Sequence, residues 1–216
     1  MKKIASFGCG VDSVAGLLLN SDYDEIIFAD TGNERPETYT YLDYFEKKSG
    51  LKITRVRSHY GKIANYYYSK KAQPSKWKRD CTGKFKISPI RKYLRNKYGK
   101  KESFEMSIFI DFSEFHRMRK SDVKYIKNIY PLVEQKISRP ELKELIISKG
   151  YELPIKSGCY FCPYTTKKGW LDLKEKYPNL YKNVLKLEKN SRMKLPLINL
   201  KGKDSQNLLE CACFNG

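Results

Sequence analysis

Long apolar runs are missing from this chain of 216 residues, and histidine and tryptophan occur only twice each. A membrane-spanning helix needs about 20 consecutive apolar residues, and a secretory signal needs an apolar core that the residues after Met1 do not provide. We therefore expect a cytoplasmic protein without membrane contact. Two histidines leave little material for a mixed cysteine–histidine zinc site. The hydrophobic content of 40% is nonetheless sufficient for one well-packed domain.

Acidic residues are scarce in one long segment. The chain has 43 lysines and arginines against 24 aspartates and glutamates, a net charge of +19, and residues 46–101 hold 19 basic but only 2 acidic residues. Aromatic residues lie between these cations, as is typical of surfaces that bind phosphates and stack on unpaired bases. A tRNA or DNA partner is one interpretation of this segment. A solvated basic face with its aromatic side chains packed inward is the other.

Short apolar segments alternate with amphipathic ones in the first part of the chain. The apolar segments, which predict strands, span residues 4–7, 25–29 and 52–57. The amphipathic segments, which predict helices, span residues 12–19 and 35–48. This order predicts an α/β protein with a parallel β-sheet flanked by helices. A helix at 87–98 and a strand at 104–110 follow, and we expect the parallel core to close there.

The last part of the chain predicts helices. Ser138 is followed by Pro140 in a first turn and by Glu141 three residues on, which predicts a helix that runs to Gly150. Further helices are predicted at 167–176 and 179–189. We therefore expect an α/β part at residues 1–135 and a small helical, cysteine-containing appendage at residues 136–216, packed together as one compact unit.

A glycine-rich turn joins the first strand to the first helix. Its sequence is Ser6-Phe7-Gly8-Cys9-Gly10-Val11-Asp12-Ser13. Backbone N–H groups at such a helix N-terminus favour a phosphate. The signature G-x-x-x-x-G-K-[ST] is absent, which argues against a Walker-type kinase or GTPase. Cys9 is either a small buried residue or a nucleophile, because a helix N-terminus lowers the pKa of a thiol.

This turn resembles the S-G-G-x-D-S pyrophosphate loop of the N-type ATP pyrophosphatases, in particular the branch that includes PAPS reductase and the DNA-phosphorothioation sulfurtransferases. Gly10, Asp12 and Ser13 match that loop, while Gly8 and Cys9 replace its Ser and first Gly. The run Asp30-Thr31-Gly32-Asn33-Glu34-Arg35-Pro36-Glu37-Thr38-Tyr39 is similar to the D-T-G-x-x-x-P-E-T-Y segment of the same branch. The resemblance implies the Rossmann-like fold of the adenine nucleotide alpha hydrolases.

The resemblance also implies ATP, Mg²⁺ and a set of residues around them. The implied nucleotide-binding residues are Ser6, Gly8, Cys9, Gly10, Val11, Asp12, Ser13, Asp30, Thr31 and Gly32. Asp12 and Ser13 are the implied catalytic residues of the loop. Asp30 would lie near the ribose or adenine, with a helix-capping carboxylate as the alternative.

Three later segments extend the resemblance. They are Cys81-Thr82 with Lys86 and Pro89, Glu114 with Arg117, and Ser157-Gly158-Cys159-Tyr160-Phe161-Cys162-Pro163-Tyr164 with Trp170. A lone pair such as Glu114 and Arg117 is more often a surface salt bridge, so neither residue is assigned to the predicted site. Arg91, Arg117 and Arg139 are candidate anion contacts, with an ordinary surface role as the alternative.

The six cysteines are not expected to form disulfides, because we expect the chain to stay in the cytoplasm. Cys159 and Cys162 have a spacing that suits one metal centre, and Cys81 with the Cys211-x-Cys213 pair can complete it. An iron–sulfur cluster, a structural zinc and reduced packing cysteines all stay open from the residues. The resemblance implies a cluster on Cys81, Cys159 and Cys162, and we assign Cys213 as the remaining ligand.

The cysteine at position 211 follows Glu210, and this pair is similar to the C-terminal E-C-G segment that bears the nucleophile of PAPS and APS reductases. The resemblance therefore implies a catalytic Cys211. A cluster ligand, or neither role, is the alternative for this residue.

Three functions follow from these patterns. The first is an ATP-dependent adenylating sulfurtransferase, whose partners would be an adenine nucleotide, a tRNA or DNA acceptor, and a sulfur- or electron-donor protein. The second is a thiol-dependent reductase that releases sulfite from PAPS or APS. The third is a noncatalytic nucleic-acid-binding module that retains a nucleotide fold.

Overall fold

The computed structural model describes residues 1–193 and 197–198. Within them, five parallel strands form one sheet in the order β3-β2-β1-β4-β5. The strands are β1 Lys2–Ser6, β2 Glu25–Asp30, β3 Ile53–Arg57, β4 Phe104–Ile108 and β5 Ile126–Ile129. The predicted class, a parallel sheet flanked by helices, is confirmed.

Helices connect the strands and extend beyond them. They are α1 Val11–Leu19, α2 Pro36–Ser49, α3 Ile63–Ser69, α4 Asp80–Thr82, α5 Ser88–Tyr98, α6 Pro131–Glu134, α7 Arg139–Ser148, α8 Lys167–Lys176 and α9 Pro178–Asn190, with a π-helical turn at Gly83–Ile87 and a 3₁₀ helix at Phe112–Arg117. The backbone N–H of Ser138 donates to Glu141 Oε2 over 2.7 Å, which confirms the predicted cap of α7. In the described ranges, no helix is both long enough and apolar enough to cross a membrane.

The sheet has an apolar cluster on each face. Ala5 of β1 packs in one cluster with Leu42 of α2 and Leu142 of α7, whereas its neighbour Ile4 packs in the other with Leu94 of α5. Successive side chains of a strand point to opposite faces, so both faces of β1 are covered. This burial explains why β1 and β2 are short continuous apolar runs.

A third apolar cluster lies beside the sheet. It combines Tyr67 of α3 and Phe85 of the π-helical turn with Phe161, Trp170 of α8 and Val184 of α9. The predicted C-terminal helices therefore pack on a segment from the middle of the chain. The division at residues 135 and 136 stays a prediction, and α7, on its C-terminal side, packs with α1 in the first cluster.

The expectation that the parallel core closes at residues 104–110 is wrong. The strand β4 ends at Ile108, and β5 extends the sheet beyond it, with Phe104 paired to Ile126. β5 is a four-residue edge strand in which only Ile126 is buried. So short an element shows no apolar run from which it could be recognised.

Candidate functional site

A cavity of about 320 Å³ opens at the carboxyl ends of β1, β2 and β4. Ser6, Ala29 and Ile108, each at or next to the end of one of these strands, contribute to its wall. Ligands of open parallel sheets bind beyond the carboxyl ends of the strands. We call this space the phosphate cavity.

Most of the predicted loop lines the phosphate cavity. The loop residues in its wall are Ser6, Phe7, Gly8, Gly10, Val11, Asp12 and Ser13. The Gly10 N–H donates to Ser13 Oγ over 3.2 Å, and the Ser13 hydroxyl donates to Gly10 O over 3.1 Å. The first N–H groups of α1 have no acceptor within the helix, so they favour an anion at this position.

Cys9 does not line the cavity. Its backbone has a φ of +58°, a left-handed conformation that favours the glycine expected here by resemblance. Its thiol is buried and donates to Thr38 O over 3.5 Å. Burial raises the pKa of this thiol to about 12. The geometry supports the interpretation of Cys9 as a buried packing residue, because so high a pKa leaves almost no thiolate.

Five basic side chains face the same cavity from separate parts of the chain. They are Lys86, Arg117, Arg139, Lys143 and Lys156. Arg91, the third candidate anion contact, instead forms an ion pair with Asp122. Because phosphates carry several negative charges, a wall with this many cations suits a polyphosphate.

Acidic side chains form a compact group at the cavity. The carboxylate oxygens of Asp12, Asp111 and Glu114 lie within 4.8 Å of one another. Asp12 Oδ1 is buried and has no hydrogen-bond partner, and burial raises the pKa of Asp12 to about 6. Oxygen donors of this kind suit Mg²⁺. The residues present therefore fit the predicted magnesium ion.

The pair of Glu114 and Arg117 is not a surface salt bridge. They form an ion pair whose side chains are only 13% and 6% exposed. Asp111 caps the 3₁₀ helix, since its carboxylate accepts from the Ser113 N–H over 2.8 Å. This cap holds the helix so that Glu114 and Arg117 both line the phosphate cavity.

The predicted nucleotide residue Asp30 is occupied by contacts within the protein. Its Oδ1 accepts from the Gly32 N–H and the Tyr39 hydroxyl, both over 2.7 Å, and its Oδ2 accepts from Arg57 Nε over 2.8 Å. Burial acts to raise the pKa of Asp30, but these hydrogen bonds outweigh it and hold the pKa below its usual range. Asp30, Thr31 and Gly32 are absent from the described wall of the phosphate cavity, and their nucleotide role stays a prediction.

The segment after β2 contacts the C-x-x-C segment. The Thr31 hydroxyl donates to Glu34 Oε1 over 2.7 Å and lies 3.2 Å from Cys159 Sγ. Two backbone bonds complete the contact, from the Arg35 N–H to Gly158 O over 3.0 Å and from the Tyr160 N–H to Asn33 O over 3.1 Å. Sequence reasoning missed this contact because the partners are more than 120 positions apart.

Three of the predicted metal ligands lie near one another. Cys81 and Cys159 both pack against the third apolar cluster, and the Cys162 N–H donates to Cys159 O over 3.0 Å. Burial and then Glu34 raise the pKa of Cys159 well above that of a free thiol, Cys81 raises it further, and Lys86 lowers it. Cys211 and Cys213 lie outside the described residues.

Within the part of the chain that the structure describes, the sulfur atoms of Cys81, Cys159 and Cys162 do not all lie within 4.8 Å of one another. The carboxylate oxygens of the acidic group do. All three donors are sulfur, and two of them, Cys81 and Cys159, pack against the same apolar cluster. Such a set of donors fits a thiolate-bound centre.

A second cavity, of about 230 Å³, lies beside the cysteines. Cys159, Cys162 and Tyr164 contribute to its wall. Lys156 and Ser157 line both cavities, so this short segment separates the cysteines from the phosphate cavity.

Comparison with known proteins relates part of this chain to a known family. Residues 2–104 match the family model of the phosphoadenosine phosphosulfate reductase domain. This match supports a relationship to the PAPS reductase-like superfamily. The crystal structure of a PAPS reductase from Candida auris in a phosphate complex is similar, with a TM-score of 0.51 and 13% identity over 71% of this chain and 75% of that one. At this identity, the similarity shows the fold.

Two uncharacterized proteins of Methanocaldococcus jannaschii are also similar to this chain. One is 31% identical over 188 residues, which cover 82% of this chain and 45% of that protein. The other is 26% identical over 211 residues, which cover 85% of this chain and 41% of that protein. The chain thus spans less than half the length of these curated relatives.

Sequence reasoning missed several side chains of the candidate site. The side chains of Asp111, Lys143 and Lys156 lie at the site but outside the motifs that the sequence analysis identified. Asp111 follows the buried run at the end of β4, and a carboxylate in that position was the one available signal.

Proposed function

We propose that the protein binds ATP in the phosphate cavity, adenylates a nucleic-acid acceptor and thereby prepares it for sulfur transfer. The observation that carries this proposal is the convergence of the loop, five cations and the acidic group on one cavity. A relationship to a superfamily with adenine-nucleotide chemistry supports it. The two similar proteins of Methanocaldococcus jannaschii are uncharacterized and do not bear on the choice of acceptor.

The reaction joins an acceptor oxygen to the α-phosphorus of ATP and breaks the bond between that phosphorus and the oxygen bridging to the β-phosphate. Pyrophosphate leaves, and the N–H groups of the first turn of α1 bind it together with the cavity cations. Asp12, Asp111 and Glu114 would hold Mg²⁺, which offsets the phosphate charge. A sulfur nucleophile from a donor protein then forms a C–S bond and displaces AMP.

Cys81, Cys159 and Cys162 would hold an iron–sulfur cluster, with Cys213 as the remaining ligand. Zinc with four sulfur ligands at about 2.3 Å would bring the sulfur atoms to within about 4 Å of one another. A cluster distributes its ligands over several iron atoms. The spacing of the three described cysteines therefore favours the cluster over zinc.

The test is the exchange of labelled pyrophosphate into ATP by the full chain, with Mg²⁺ and single-stranded RNA or DNA present. Asp12→Asn is expected to lower the exchange rate at least 100-fold, because the carboxylate of the loop itself is lost. Glu144→Gln, at an exposed position on α7, is the matched control and should exchange like the unchanged protein. Normal exchange by Asp12→Asn would contradict the proposal.

A thiol-dependent reductase is the second candidate, and the match to the reductase domain favours it. Its substrate, an adenylyl sulfate, would place its phosphates and sulfate against the same five cations. Release of sulfite from PAPS or APS in the presence of a dithiol, without pyrophosphate exchange, would identify this activity. Loss of sulfite release in Cys211→Ser would assign the nucleophile.

A further inference from the structure

An exposed surface of mixed basic and aromatic side chains borders the second cavity. We call it the Trp77 surface, and it consists of Lys70, Lys71, Lys76, Trp77, Lys78 and Tyr164. Trp77 is 87% exposed, more than any other large apolar side chain that the structure describes. Tryptophan is enriched at interfaces, and this exposed ring lies between lysines, so it is a candidate contact for a partner.

Asp80 is an acidic neighbour of the Trp77 surface, and it interacts electrostatically with Lys78. Within residues 1–193 and 197–198, no carboxylate lies within ion-pair distance of Lys70, Lys71, Lys76 or Lys78. The nearby Asp80 is instead paired with Lys84 at 2.9 Å and accepts from the Tyr67 hydroxyl over 2.7 Å. The positive field of the four lysines is therefore available to an anionic partner.

The aromatic members are held among these cations. Lys76 Nζ lies 5.5 Å from the centre of the Tyr164 ring, and the Arg79 guanidinium lies 5.8 Å from it. The Tyr164 hydroxyl donates to Lys76 O over 3.1 Å, which fixes the ring beside the Trp77 segment. Lysines on both sides of the exposed Trp77 ring suit a single strand, whose phosphates bind lysines while an unpaired base stacks on the indole.

Contacts lead from the Trp77 surface to the phosphate cavity. Lys156 Nζ donates to Tyr164 O over 3.4 Å, and Lys156 lines the phosphate cavity as well as the second cavity. Tyr164 itself lines the second cavity. A strand bound along this line would pass the cysteines and approach the place where the α-phosphate is expected.

We propose that the Trp77 surface binds an unpaired nucleic-acid strand, with Trp77 stacked on a base, and directs it through the second cavity to the phosphate cavity. This inference rests on the proposed function, because the bound strand would be the acceptor. A duplex does not fit, since its bases are stacked on one another and unavailable to the indole.

The test is fluorescence anisotropy of a labelled 12-nucleotide strand of mixed sequence with the full chain, without ATP. Trp77→Ala is expected to weaken binding about 10-fold, since stacking on one base contributes about 1–3 kcal/mol. Trp77→Phe should restore most of the affinity, because it keeps a ring. Leu185→Ala removes a 45%-exposed apolar side chain elsewhere and is the matched control.

Intrinsic fluorescence gives an independent readout, because Trp77 is exposed and Trp170, the other tryptophan, is buried. The strand should quench the emission of the unchanged protein and leave that of Trp77→Phe almost unaltered. Equal affinity of Trp77→Ala and the unchanged protein, or equal affinity for duplex and single strand, would overturn the inference.

Binding and pyrophosphate exchange separate the two proposals. Strand binding that depends on Trp77, without any pyrophosphate exchange, supports the proposed role of the Trp77 surface and contradicts the proposed function. Pyrophosphate exchange that persists, together with normal strand binding by Trp77→Ala, supports the proposed function and overturns the proposed role of the Trp77 surface.

Discussion

The phosphate cavity and the cysteine segment are neighbours that share Lys156 and Ser157, yet they are built differently. The loop of the cavity is held by hydrogen bonds between residues three positions apart, Gly10 and Ser13. Cys159 is held by Thr31, from the other end of the chain. A motif of consecutive residues can therefore specify the first region, whereas the second exists only once the chain has folded.

The two regions also differ in electrostatics. The cavity contains a buried carboxylate at Asp12 and a buried ion pair between Glu114 and Arg117. The cysteine segment contains a thiol whose pKa is raised by burial and by Glu34, so without a metal it is protonated at neutral pH. Lys86 acts on both, because it lines the cavity and lowers the pKa of Cys159. The difference implies that each region can be disabled while the other is kept.

The largest effect is expected at the cysteine segment. Cys159→Ala should remove nearly all iron and sulfide, or zinc, from protein purified without oxygen, because a thiolate ligand is lost. Cys9→Ala, a buried thiol outside both cavities, is the control and should retain the metal. Metal content is measured by elemental and sulfide assay, and full retention in Cys159→Ala would exclude this residue as a ligand. Nucleotide binding by the variant should persist.

A second change should affect the phosphate cavity and leave the cysteine segment intact. Arg117→Ala leaves Glu114 without its buried partner and is expected to lower the free energy of unfolding by about 3 kcal/mol. Arg117→Met with Glu114→Gln should recover part of this loss, because no unpaired charge stays buried. Urea denaturation measures both, and metal content should not change. A loss below about 1 kcal/mol, the range of exposed pairs, would show that the pair is solvated.

The smallest effect concerns the pH dependence of stability. Asp12 has a pKa of about 6 in the folded protein against an ordinary value of 3.8. Burial of its charge therefore costs nothing below pH 3.8, costs more as the pH rises, and has its full cost above pH 6. Asp12→Asn should therefore raise the free energy of unfolding by about 1–2 kcal/mol at pH 7.5, with the gain falling as the pH drops through 6 towards 4. Urea denaturation in EDTA measures it, and a gain independent of pH would contradict this origin.

Local patterns predicted the elements around the loop well. The strands β1, β2 and β3 and the helices α1, α2 and α8 lie within about two residues of their predicted positions, because each is an apolar or amphipathic segment with its own boundary residues. The edge strand β5 was missed because a partner strand, not its own composition, makes it a strand. The buried state of Glu114 was missed for a related reason. An acidic and a basic residue three positions apart have the same sequence pattern whether their ion pair lies on the surface or in a cavity.

The sequence by itself determined the α/β class, the phosphate loop and the excess of positive charge, because these depend on neighbouring residues or on composition. Only the tertiary structure decided that Asp30 is bound by Tyr39 and Arg57, that Thr31 contacts Cys159, and that Trp77 is exposed. Such facts depend on contacts between distant segments. A side chain's neighbours across the fold, rather than along the chain, decide whether its charge or its ring is available to a ligand.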